Sequence, residues 1–116
     1  MRQALLLIFL FIHPLANSQE YKITNVNGWN ARLFNSKVFI KNDTISFTYR
    51  KRPPAHVKIS NIEIKNEKKY FYAEVESPLE ESFYILYNDG RRTILENYMV
   101  VNGESIEIKM RLSKID

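Results

Sequence analysis

The chain has 116 residues, 45% of them hydrophobic and 13% aromatic, no cysteine, and a formal charge of +4. That length holds one domain, which excludes large barrels and two-domain dinucleotide enzymes. The absence of cysteine excludes disulfides, thiolate metal centres and a cysteine nucleophile. Apolar content this high with so modest a charge argues against disorder.

Met1 to Ser18 reads as a secretory signal peptide. Arg2 supplies the positive start, Ala4 to Ile12 is an unbroken apolar run, and His13-Pro14 ends it. Ala16-Asn17-Ser18 then offers small residues before Gln19. The apolar run is too short to span a membrane, which takes about 20 residues in a helix. The expectation is an exported, periplasmic or secreted protein, not membrane-spanning. Its cysteine-free composition points to a bacterial source. A single domain over 19–116 would remain.

Strand signals fill the remainder. Candidate strands in chain order are Tyr21–Val26, Ala31–Phe34, Lys37–Lys41, Thr44–Arg50, His56–Lys65, Tyr70–Glu76, Ser82–Tyr87, Arg92–Val101 and Glu104–Leu112. Thr44–Arg50 and Glu104–Leu112 alternate cleanly, the mark of a half-buried strand. In His56–Lys65 the apolar parity switches from Val57 and Ile59 to Ile62 and Ile64. That predicts a β-bulge near Ser60-Asn61. No segment repeats at 3.6 residues. The short links predict that neighbours in sequence pair antiparallel. The expected fold is all-β: a single antiparallel meander of about eight short strands forming a small barrel or strongly curled sheet. A β-sandwich is the alternative.

The hairpin registers predict which residues face outwards. A two-residue Asn102-Gly103 turn pairs Met99 with Ile106 and Leu95 with Met110. A three-residue Asn88–Gly90 loop and a Ser77–Glu81 loop then put Phe83 inside with Phe71, Ala73 and Val75. Tyr70, Tyr72, Tyr84, Leu86 and Ile94 fall outside, with Arg92 and Tyr98 at the margin. Tyr70, Tyr72, Tyr84, Leu86 and Arg92 form the candidate binding surface, since aromatic and arginine side chains dominate interaction surfaces. Cover by another strand, a loop or a second sheet is the competing explanation of this face.

No catalytic constellation is recognisable, and the expectation is a non-enzymatic protein without a cofactor or metal. His56 stands alone after residue 18. A Ser–His–acid triad would need Ser46, Ser60 or Ser82 beside it. Glu74 and Glu76, two apart on a strand, are the one carboxylate pair with acid–base spacing. Arg50-Lys51-Arg52, Lys68-Lys69 and Arg91-Arg92 are basic clusters. In an exported chain they favour anionic envelope glycans or lipid headgroups over nucleic acid, or serve to keep strand edges soluble. The expected partner is a protein or an envelope glycan.

An eight-strand meander with an early tryptophan, Trp29, resembles the lipocalin-type barrel in layout. Gly28 and Trp29 are adjacent where that family's motif separates them. Arg111 has a parity opposite the Ile106 row, unlike the arginine that closes that family's barrel. The layout implies, as an alternative function, a small carrier of an apolar molecule. Trp29 is expected to plug one end of the core.

Overall fold

The computed structural model describes residues 19–50, 52–76 and 80–115. The proposed signal segment lies outside the described residues. The strands are β1 (Gln19–Val26), β2 (Trp29–Asn30), β3 (Ser36–Ile40), β4 (Thr44–Tyr49), β5 (Arg52–Lys65), β6 (Lys68–Ala73), β7 (Glu81–Asn88), β8 (Thr93–Val101) and β9 (Glu104–Lys114). Each long strand pairs antiparallel with the next one in sequence, and β1 also pairs with β9. The eight long strands therefore close into an antiparallel barrel, with β2 a short spur on β1. Among the described residues no helix is long and apolar enough to cross a membrane.

Alternation along the strands turns one face of the sheet inwards. Tyr21, Ile23, Val38, Ile40, Ile45, Phe71, Leu95, Met110 and Leu112 all point inwards and are buried together. Across the barrel, Phe47 of β4 meets Tyr84 of β7, with ring centroids 6.0 Å apart. Those strands are not neighbours, so side chains reach across the interior, as they do in small eight-stranded barrels. The bulge in β5 falls where the parity switch predicts it: the register slips between Ile59 and Asn61 opposite β6. Ser60 Oγ donates to the Tyr72 carbonyl there, at 3.1 Å. The β8–β9 register is also as expected, with Leu95 opposite Met110 and Met99 opposite Ile106.

Four expectations are corrected. Ala31–Phe34 is not a strand: Arg32–Phe34 is a single 3₁₀ turn (η1), ended by Asn35 in the left-handed region. Its backbone bonds locally, Phe34 N–H to Ala31 O, instead of along a ladder. Trp29 does not plug the core, because it sits in the spur and is 80% exposed.

Third, Tyr84 and Leu86 point inwards, and Tyr84 is only 6% exposed. The β7–β8 loop has four residues, Asp89 to Arg92, because Asn88 pairs with Thr93. Asp89 shapes it: its Oδ1 accepts the N–H groups of Arg91 and Arg92 at 3.1 and 2.8 Å. Leu95 thus faces Leu86, and Phe83 turns outwards. Fourth, β6 stops at Ala73, so Glu74, Val75 and Glu76 lie beyond it and are exposed.

Candidate binding surface

The outer face of β6, β7 and β8 carries a row of rings held by register. Tyr72 pairs with Phe83, and Phe83 with Tyr98, while Tyr70 pairs with Ile85 one step along. Strand spacing alone brings such rings together. Phe83 and Tyr98 stack at 5.1 Å and 14°, Tyr72 and Phe83 approach at 5.9 Å, and Tyr70 lies 6.4 Å from both Tyr72 and Phe83. Stacked this way, the rings shield one another's faces. All four are half-buried. Ile85 and Ile94, on the same side of the sheet, are buried among these outer side chains. The described strands form one sheet, so no second sheet roofs this face.

Polar groups brace the ladder. Glu96 accepts from both Tyr87 and Tyr98, the latter at 2.8 Å. The Glu96 bond, then burial, push the Tyr98 phenol up to about 12. Burial, then the Glu96 bond, raise Tyr87 still further. The Lys68 ammonium sits 4.4 Å from the Tyr87 ring centroid and that of Lys65 lies 5.5 Å from Tyr70. Basic residues beside aromatics are here engaged with rings of their own chain.

Of the five candidate residues, Tyr70 and Tyr72 belong to this outer face. Tyr84 and Leu86 are core, and Arg92 lies in the β7–β8 loop. Arg92 is six residues from Tyr98 along the chain, roughly 20 Å at ~3.4 Å per strand residue. Phe83 and Tyr98 take the places expected for Tyr84 and Leu86.

A more open apolar surface lies elsewhere. Trp29, Leu33, Phe34 and Tyr49 are all exposed, Trp29 and Leu33 by 80% and 86%. They come from the spur, η1 and the end of β4, which the chain brings to one end of the barrel. The lip is built, not splayed. Phe34 and Tyr49 have ring centroids 5.8 Å apart, Arg50 Nη2 donates to the Leu33 carbonyl at 2.9 Å, and the Arg52 guanidinium carbon lies 5.6 Å from the Tyr49 centroid. The sequence held one signal of it: three large apolar residues within Trp29–Phe34 that fit no alternation.

Ser46 and His56 are partners across β4 and β5, and Ser46 Oγ lies 2.7 Å from His56 Nδ1. His56 is therefore held within β5. The pair sits exposed on the barrel wall, with no carboxylate bonded to the imidazole among the described residues. Triad chemistry needs that third group to orient the base. Glu74 and Glu76 are exposed and off the strand, whereas an acid–base pair works in a cleft. Among the described residues no group of three or more His, Cys, Asp or Glu could hold a metal ion. Comparison of the chain with protein-family models, curated proteins and solved structures finds no match.

Proposed function

We infer that the chain is an exported, non-enzymatic barrel that binds a protein partner through exposed aromatic side chains, with the Trp29–Leu33–Phe34–Tyr49 lip as the primary contact. The exposure of Trp29 and Leu33 carries this reading. Large apolar groups held open by a folded frame cost solubility, and soluble proteins keep such patches where a partner covers them. Tryptophan, tyrosine and arginine, joined here by Arg50 and Arg52, are the residue types that concentrate binding energy. The outer ladder of Tyr70, Tyr72, Phe83 and Tyr98 is a second, flatter surface of stiff amphipathic rings. Side chains packed across the interior favour surface binding over carriage of an apolar molecule. The signal-like character of residues 1–18 supports export.

The test is site-specific photo-crosslinking in the native host, with a photoreactive residue at position 29, 72 or 58. Position 29 should give a discrete adduct that disappears with Leu33→Ser and Phe34→Ser, while Lys58, exposed elsewhere on β5, gives none. An adduct at position 72 alone moves the contact to the ladder. A position-29 adduct no more specific than that at 58 refutes the lip.

A further inference from the structure

At the other side of β1 the surface is of opposite character. A cleft of about 490 Å³ opens where the β7–β8 loop, η1 and the C-terminal half of β9 meet β1. Arg32, Arg91, Arg92, Arg111 and Lys114 line it, and no Asp or Glu is among its lining residues. We propose that this cleft binds a phosphate-bearing ligand, through the guanidinium groups that converge from η1, the β7–β8 loop and β9.

Five cations around one concavity repel each other, and low-dielectric walls focus their field. No carboxylate lines the cleft, and the single charge of Asp89 in the loop offsets only part of that repulsion. The ion pairs among the described residues, Lys37 with Glu20 and Lys65 with Glu63, involve none of the five. Asp89 is the one acid next to the arginine pair: its charge attracts Arg92, and its Oδ1 accepts the Arg91 and Arg92 amides. Those bonds hold its carboxyl below the usual carboxylate range. They also fix the loop, so the two arginines start from a pinned backbone. Arg111 is fixed by the ladder between Ile94 and Asn25, and its carbonyl accepts from Thr24 Oγ1 at 3.3 Å.

The alternative reason for such charge is protection of a strand edge. It does not hold here, because β1 and β9 pair across this region and leave no open edge between them. Four of the five cations are arginine, whose planar fork suits bidentate contact with phosphate. A tetrahedral dianion can accept forks from several directions, whereas a carboxylate offers two oxygens in one plane. Hydroxyls of Thr93 and Ser113 at the same cleft can donate to further phosphate oxygens. The cleft is larger than one phosphate needs and falls in the size range of small-molecule sites.

The test uses protein expressed from the full-length gene and calorimetry with inorganic pyrophosphate. Binding should saturate at one equivalent and weaken steeply as salt rises. The double variant Arg91→Gln/Arg92→Gln, in an exposed loop, should weaken it by roughly tenfold or more. Lys58→Gln/Lys65→Gln, which removes the same charge elsewhere, should leave it within about twofold. A second arm uses vesicles containing phosphatidic acid, whose headgroup is a phosphate monoester. Vesicle binding lost in the arginine variant identifies a headgroup as the source, and soluble binding without vesicle binding identifies a free phosphate ester. No saturable binding of either probe, or equal loss in both double variants, overturns the proposal. Pyrophosphate has no apolar surface for the aromatic lip to bind, so the calorimetric outcome is independent of the crosslinking result.

Discussion

Glu96 holds two phenols at once, one from its own strand and one from β7. Both phenols are held protonated to higher pH than a free tyrosine, whose value is about 10. The sign follows from linkage. The unfolded chain loses these protons near pH 10, while the folded one keeps that of Tyr98 to about 12. The stabilising effect is therefore complete below pH 10 and is lost as pH rises towards 12 and beyond. Urea denaturation at stepped pH should show stability falling across that window. Glu96→Gln keeps an acceptor but removes the charge, so it should flatten the alkaline fall and delay less of the tyrosinate absorbance. At neutral pH it should cost about 1 kcal/mol, the scale of one hydrogen bond. Half of this cluster was legible from the sequence: residues 96 and 98, two apart on a strand, share a face. Tyr87 joins only through the β7–β8 register, which hinges on how Asp89 bonds its own loop.

At the scale of elements, hairpin turns decide which face each side chain takes. Asn102-Gly103 has φ values of 53° and 82°, the left-handed pair of a two-residue turn, and its sequence announced it. Asn66-Glu67 closes β5 and β6 in the same way, with φ values of 50° and 66°, but puts glutamate where glycine is preferred. A left-handed non-glycine residue costs about 1 kcal/mol. Glu67→Gly should thus raise stability by up to about 1 kcal/mol, and Gly103→Ala should lower it by about 1–2 kcal/mol. A Cβ at position 103 meets nothing within 4 Å, so the second effect is backbone strain alone. Chemical denaturation of both variants checks the pair, and the opposite signs guard against a general effect of loop substitution. The bulge at Ser60 was legible because it leaves a parity switch in the apolar pattern. The end of β6 was not. Val75 continues the alternation of Phe71 and Ala73 past the last paired residue, so pattern alone overran the ladder.

For the whole molecule, the seam between β1 and β9 turns a curled sheet into a barrel. Short loops made the meander legible, since sequential strands had no other partner to reach. Closure joins the two ends of the meander, and no local pattern in either strand records that contact. It is tested by covalent capture, for which a chain without cysteine is well suited. Lys22 and Ser113 are direct partners across the seam. Antiparallel partners lie about 4.5–5.5 Å apart at Cα, inside the range a disulfide tolerates. The double substitution Lys22→Cys with Ser113→Cys should oxidise to a monomeric bridge and leave no free thiol. Because the bridge closes most of the domain into one loop, it should stabilise the oxidised form by up to roughly 4 kcal/mol over the reduced form. A control, Lys22→Cys with Glu104→Cys, places the second thiol at the far end of β9 and should stay reduced. If the seam were open, both pairs would remain free thiols or cross-link between molecules.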